Sequence, residues 1–414
     1  MLLRLVLFLV IVVVVVNEAA NYTHCNIIEK IIKPPTECIY NPDEYLDVQQ
    51  IIARHGYPSE THAITTKDGY VLKIHRIPGP KSGKRGGQPV FLQHGLFESS
   101  ADWLINGNNS LGFLLADEGY DVWLGNARGN TYSRAHVSIP MDKPKFWNFS
   151  WHEMGTHDLP AVLYYVGNIT QKPEQIIYIG HSMGTTMFFV FSSMYPVAAK
   201  NVKLMIALAP VAMMTHIQSP IRFLAPFSSN YQWLAKYLGL YEFLPDSKLI
   251  KFFTHGCDLL DVNREVCESL ISVVCGYDKE QFNEKALPLL LKKDPAGTST
   301  KTVMHYAQEI SKGDFQQFDY GTSGNMAAYG TVAPPKYNIS AIETPIYLMY
   351  GENDWLASYV DVQQLAEKIT SLVGLYRIKL KSFNHVDFLF GKDAEKLVYR
   401  PLMRVMRKFP EHYS

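Results

Sequence analysis

Gly180-His181-Ser182-Met183-Gly184 stands directly after the apolar run Ile176 to Ile179 and opens an apolar helical stretch. That strand-turn-helix context is what a G-x-S-x-G nucleophile turn demands. In so tight a turn a β-carbon at either flanking glycine would collide with backbone, and the serine hydroxyl is left standing clear at a helix N-terminus. A serine hydroxyl attacks weakly by itself; it needs a base to take its proton and a carboxylate to hold that base in one tautomer. Two later segments offer them: Gly351-Glu352-Asn353-Asp354 after the strand-like run Ile346 to Tyr350, and Asn384-His385-Val386-Asp387 after Tyr376 to Lys381. We read Asp354 as the acid and His385 as the base, with Glu352 and Asp387 as competing acids and His216 and His305 as competing bases. His181, inside the turn, is expected to pack beneath it. Acyl transfer also builds negative charge on a carbonyl oxygen, which backbone amides stabilise by roughly 3 kcal/mol per donor. The expected donors are the amide of Met183 and that of Leu96 in Gln93-His94-Gly95-Leu96, where Gly95 permits a close turn.

Residues this far apart meet only if a regular scaffold brings them to one edge. From Val90 onward short apolar runs alternate with helical patterns: VFLQH, a helix near Leu111 to Glu118, YDVWLGN, a helix near Met154 to Val166, IIYIGHS, a helix from Thr185 to Ser193, then VKLMIALAP. Continuous apolar strands separated by amphipathic helices fit a mostly parallel central sheet with helices on both faces. From about Val211 to Lys336 the pattern turns to Met-, Phe- and Leu-rich segments of helical period, broken by Pro220, Pro226, Pro245, Pro288 and Pro295, which reads as a helical insertion over the sheet. Alternation resumes with TPIYLMYGEND, a helix near Val360 to Leu372, and YRIKLKSFNH. Serine, aspartate and histidine in this chain order, on successive strand ends, is the order of the α/β-hydrolase fold. The 31 residues from Asp354 to His385 suit one strand-helix-strand step. Upstream, a short helix is expected around Asp43 to His55. A hairpin of His62 to Thr66 and Tyr70 to Ile77 should turn at Lys67-Asp68-Gly69. The loop GPKSGKRGGQP lacks the spacing of a phosphate loop and reads as a solvated surface loop.

Composition narrows the class. With 414 residues, 47% of them hydrophobic and 19% charged, the chain can bury a large core, so a globular enzyme is expected. Its 39 basic residues balance 39 acidic ones, which leaves no electrostatic pull toward nucleic acid. Residues 1–20 have one early charge at Arg4, an apolar run from Leu5 to Val16 and small residues at Ala19 and Ala20. That run is shorter than the roughly 20 residues of a bilayer-crossing helix, so a cleaved signal peptide and secretion are expected, with the lysosome as the alternative destination; Asn17 and Glu18 suit a cleavage site poorly, which leaves an uncleaved signal anchor as the competing reading. No later segment is apolar for long enough to span a membrane. The sequons at Asn21, Asn108, Asn148, Asn168 and Asn338 fit glycan acceptors in that setting. Of five cysteines, Cys25 and Cys38 are neighbours and are paired here by proximity, while Cys257, Cys267 and Cys275 cluster downstream. Without a Cys-x-x-Cys or His-Glu-x-x-His pattern no metal site is expected, and the serine chemistry requires no cofactor.

The stretches TKDGYVLKIHRIP, LQHGLFESSADW, GYDVWLGNARGNTYSR, FWNFSWHEMGTHDLPA, IYIGHSMGTT, DPAGTSTKT and FNHVDFLFG, in this order, resemble the acid lipase family of animals, which includes gastric and lysosomal acid lipases and insect digestive lipases. The resemblance implies a Ser182, Asp354, His385 triad with an oxyanion hole from Leu96 and Met183. It also implies a hydrolase core of residues 21–211 and 338–414 and a cap of residues 212–337 that carries a lid. Within that cap it implies a Cys257–Cys267 bridge with Cys275 free. The expected activity is hydrolysis of triacylglycerol or sterol esters at a lipid surface through an acyl-enzyme. A carboxylesterase acting on short soluble esters and a catalytically inactive lipid-binding protein on the same fold are the competing readings.

Overall fold

Strands with near-continuous apolar runs lie where a sheet is covered on both faces, and they form the middle of one nine-stranded sheet. The structure, a computed structural model, describes residues 41–230, 241–243 and 272–409. The sheet comprises β1 (Glu60–Thr65), β2 (Tyr70–Ile77), β3 (Pro89–Gln93), β4 (Asp121–Leu124), the short β5 (Ala135–His136), β6 (Ile176–His181) and β7 (Val202–Leu208); β8 (Glu242–Phe243) and β9 (Thr298–Ser299) pair apart from it, and β10 (Ile346–Tyr350) and β11 (Leu372–Arg377) complete it. Spatial order is β1-β2-β4-β3-β6-β7-β10-β11, with β5 on β2. The hairpin β1-β2 is antiparallel and joins β4 antiparallel, and every pair from β4 to β11 is parallel. Every residue of β3, β4 and β6 is buried.

The helices introduced here are α1 (Val48–Arg54), α2 (Leu111–Asp117), α3 (Leu159–Thr170), α4 (Met183–Met194), α5 (Leu287–Lys293), α6 (Thr300–Lys312), α7 (Gly321–Tyr329), α8 (Tyr359–Lys368) and α9 (Arg400–Lys408). The single helix expected over Asp43 to His55 is two pieces, because Asn41 and Asp47 each close a capping box and so each start a turn of their own. The helix expected from Met154 begins earlier, at Trp151, and passes through a wide π turn, Met154–Asp158, before α3. At that turn Gly155 lies against α4 so closely that a β-carbon would fall 2.7 Å from Val190 and 2.8 Å from the Met187 carbonyl. The last strand starts at Leu372 rather than Tyr376. It is an edge strand with no fully buried side chain, so its alternation is faint, and pairing with β10 from Ile346↔Leu372 to Tyr350↔Arg377 sets its bounds.

The turn at Lys67-Asp68-Gly69 reverses the first hairpin as expected, with Gly69 at φ 97°. Its Asp68 meets the buried Arg128, which also takes Asp158 of the π turn and lies 3.9 Å above the Tyr70 ring. One guanidinium thereby ties the hairpin, the loop after β4 and the segment leading to α3. The described part of the insertion between β7 and β10 contains α5, α6 and α7 plus the two short strands β8 and β9, which the sequence pattern did not suggest. Helix α6 rests on α4 through Tyr306, whose hydroxyl donates to Thr186 Oγ1 at 2.9 Å.

Candidate active site

Four loops leave the carboxyl ends of β3, β6, β10 and β11, and every residue expected to do chemistry lies on one of them. In open α/β sheets this edge is where ligands bind. Ser182 is the hinge between β6 and α4. It adopts φ 49° and ψ −116°, a conformation that non-glycine residues rarely take. Four hydrogen bonds hold it there: its N–H donates to Leu208 O at 3.0 Å, and its carbonyl accepts the Thr185 N–H at 2.8 Å, the Thr185 hydroxyl at 2.6 Å and the Thr186 N–H at 3.4 Å. The two glycines leave room for the turn. A β-carbon on Gly180 would lie 2.8 Å from the Gly184 carbonyl carbon, and one on Gly184 would lie 2.3 Å from Gln93 O.

His385 Nε2 is 2.8 Å from Ser182 Oγ, and Nδ1 is 2.8 and 3.0 Å from the two oxygens of Asp354. A carboxylate only accepts, so Nδ1 carries the proton and Nε2 is free to accept the serine proton. Asp354 is itself fixed, because its Oδ1 accepts the N–H groups of Leu356 and Ala357 at 2.9 and 2.7 Å. The competing acids lie elsewhere in function. Glu352 pairs with Arg377 at 2.7 Å, and Asp387 accepts the Asn384 N–H at 2.7 Å, bracing the histidine loop. Of the competing bases, His305 is stacked 3.5 Å from the Trp151 ring and bonded to Ser150 and Gln316, and His216 pairs with Asp361.

The packing of Gly184 onto Gln93 and His94 brings the start of α4 against the exit of β3, so Met183 and Leu96 sit on touching segments. Among the described residues neither of their amide N–H groups donates to a protein acceptor. Here lies what the sequence reading missed. Glu98 Oε2 accepts the Gly95 N–H at 2.5 Å and faces the buried His181, whose other nitrogen reaches the His385 carbonyl. Next to it Asp102 accepts the Ser99 N–H at 2.6 Å, and its carboxyl faces that of Asp294 in the insertion. Burial, with the nearby charge of Glu98, pushes the Asp102 carboxyl up to about 7 and Asp294 well above the usual carboxylate range. The Oδ1 atoms of both are shielded from solvent and have no hydrogen-bond donor among the described residues, so a proton between the two carboxyls would satisfy both. Asp387 is raised in the same way by burial and by Asp278, which stands across from it in the insertion. The only signal of these contacts in the sequence is that ionisable residues stand where the pattern demands burial.

Cys275 is a buried free thiol whose carbonyl accepts the N–H groups of Trp355 at 3.2 Å and His385 at 3.5 Å. Cys25, Cys38, Cys257, Cys267 and Asn21 lie outside the described residues. Asn108, Asn148, Asn168 and Asn338 are all exposed.

Comparison with known proteins gives the chain its family. Residues 88–392 match the family described as alpha/beta hydrolase fold, and residues 48–107 match a partial alpha/beta-hydrolase lipase region. Lipase 1 of Drosophila melanogaster is 39% identical over 374 residues, covering 89% of this chain and 81% of that protein. The lysosomal acid lipase/cholesteryl ester hydrolase of Homo sapiens is 38% identical over 375 residues, 89% and 92% of the two chains. The gastric triacylglycerol lipase of Mus musculus is 40% identical over 375 residues, 88% and 93%. Among solved structures, an epoxide hydrolase from Vigna radiata superimposes with a TM-score of 0.50 at 13% identity, over 85% of this chain and 98% of that one, a likeness of fold alone. With this sheet, this elbow and relatives of this similarity along nearly nine-tenths of its length, the chain belongs to the α/β-hydrolase fold family and, within it, to the acid lipases of animals.

Proposed function

We propose that the protein is a lipase that hydrolyses carboxylic esters of lipids, triacylglycerols or sterol esters, through an acyl-enzyme on Ser182. The observation that carries this is the unbroken chain Asp354, His385, Ser182, with both links at 2.8 Å. Ser182 Oγ attacks the ester carbonyl carbon as its proton passes to His385 Nε2, and Asp354 stabilises the imidazolium that forms. The carbonyl oxygen becomes an oxyanion, taken by the amides of Leu96 and Met183. Collapse expels the alcohol, which leaves with the His385 proton. Water then attacks the acyl-enzyme, gives its proton to His385, and the second collapse releases the fatty acid and restores Ser182.

The relatives, a gastric triacylglycerol lipase and a lysosomal acid lipase/cholesteryl ester hydrolase, support by their names the lipid ester as substrate. They also support delivery through the secretory pathway, which we assign to a signal peptide in residues 1–20 and to an extracellular or lysosomal destination. Residues 212–337 form the cap in this reading, over a core of residues 21–211 and 338–414. Bridges join Cys257 to Cys267 and Cys25 to Cys38, and Asn21, Asn108, Asn148, Asn168 and Asn338 carry glycans. No described helix is long and apolar enough to cross a membrane, and contact with the lipid surface is transient. The test is hydrolysis of emulsified triolein and cholesteryl oleate, beside a short soluble ester, at acidic and neutral pH. Turnover of an emulsion above that of the soluble ester supports the lipase, and activity confined to the soluble ester overturns it.

A further inference from the structure

Directly beneath the elbow lies an ionic arrangement that the triad does not use. His181 is fully buried. Its Nδ1 is 3.0 Å from Glu98 Oε1 and 3.1 Å from Oε2, and its Nε2 is 3.0 Å from the carbonyl oxygen of His385. A carbonyl only accepts, so Nε2 carries a proton. Glu98 is already accepting the Gly95 N–H through Oε2, which favours its ionised form and asks Nδ1 to donate as well. With a proton on each nitrogen the ring is an imidazolium. Its centroid is 5.0 Å from that of His385 and 6.3 Å from that of Phe388. The charged or titratable groups that face it are Glu98, His94 and the buried Asp102 from the segment after β3, and Asp354 and His385 from the loops after β10 and β11.

We propose that Glu98 and His181 are positioning residues, an imidazolium–carboxylate pair that holds the backbone of His385 in register with Ser182 and anchors the Gly95-Leu96 loop to the same point. Three of the four catalytic loops then share one ionic knot: the loop after β3 through Glu98, the elbow through His181, and the histidine loop through the His385 carbonyl. Burial by itself would drive the His181 proton off, yet the Glu98 carboxylate outweighs it and raises His181 above the ordinary imidazole range. Burial likewise opposes ionisation of Glu98, and His181 with the Gly95 amide reverses that, leaving its carboxyl below the usual range. A neutral ring has one proton for two acceptors. It must therefore give up either Glu98 or the His385 carbonyl.

The proposal rests on Ser182 and His385 acting as nucleophile and base, and the experiment separates the two. Wild type and Glu98→Gln are labelled with a fluorophosphonate and assayed on a soluble ester across pH. In Glu98→Gln we expect kcat to fall by at least about tenfold with KM within about twofold, as a misplaced base would give. We also expect a limb of falling kcat at rising pH that wild type lacks, since His181 no longer keeps both protons. Glu98→Asp, which restores the charge, should recover part of kcat and remove the limb. In wild type at pH 8, ¹⁵N-histidine spectra should show His181 doubly protonated, assigned by its loss in His181→Gln. A Glu98→Gln enzyme with wild-type kcat and an unchanged pH profile, while Ser182 labels stoichiometrically, overturns the positioning role and leaves the triad standing. Wild type that does not label at Ser182 overturns both. If Glu98→Gln does not fold, the wild-type spectrum decides alone, and a singly protonated His181 overturns the proposal.

Discussion

His385 Nδ1 lies between both oxygens of Asp354, at 2.8 and 3.0 Å, so the carboxylate fixes the ring's tautomer and its orientation together. Asp354→Asn keeps the shape but offers an amide that can turn its N–H toward Nδ1, favouring the tautomer that presents a proton to Ser182. We expect kcat to fall about ten-thousand-fold with KM little changed, read by steady-state kinetics on a soluble ester. A loss under about tenfold would return Asp387 or Glu352 to contention.

Ser182→Ala removes the hydroxyl and nothing that packs. Turnover should vanish on every ester, and the melting temperature should stay within about 2 °C of wild type. Substantial remaining turnover in the purified variant would refute the nucleophile assignment.

The raised carboxyls of Asp102 and Asp294 make stability depend on pH. Both carboxyls are raised in the folded protein, so the native state binds more protons than the unfolded chain between the ordinary carboxylate range and about pH 7. The contribution is complete in acid and is lost as pH rises toward about 7. Thermal melts should therefore give a lower midpoint at pH 8 than at pH 5. Asp294→Asn lets the new amide donate to Asp102 without a titrating proton, and should flatten that slope. An equal slope in the variant would place the pH dependence elsewhere, with Asp278 and Asp387 as the next pair to test.

Arg128 is about 1% exposed and Asp158 about 2%. Arg128→Ala leaves that carboxylate buried without its cation and frees Asp68 from the hairpin turn. A loss of about 3–5 kcal/mol in urea unfolding is expected, with the variant failing to accumulate if wild type has less in hand. A change below about 1 kcal/mol would mean that solvent reaches Asp158.

The middle of the sheet was legible because full burial leaves an unbroken apolar run: Ile346–Tyr350 has the expected bounds, and β6 extends its run by two residues into the elbow. The elbow was legible for a stronger reason. Strand, glycine, serine, glycine and helix must follow one another without a gap, and few chemistries need that order. Edge positions were less so, as the four-residue displacement of β11 shows. The reading of His385 did not depend on that error, because it needed only to lie beyond the strand end, not at a fixed distance from it. Glu98 and His181, or Asp102 and Asp294, were invisible as pairs. Their partners are remote in the chain, and a carboxylate in an apolar stretch reads alike whether it reaches water, an amide or another acid. Only the placement of the loops decides between them.

The backbone at residue 182 is held at φ 49° and ψ −116° by neighbours, not by its own preference. Such a conformation costs an L-residue about 1–3 kcal/mol, and glycine alone is spared it. The sturdiest version of this molecule is therefore an inert one, in which Ser182→Gly relaxes the bend. Selection for heat tolerance alone would push the chain toward that silence, so any campaign to toughen it must screen for turnover as well as for melting.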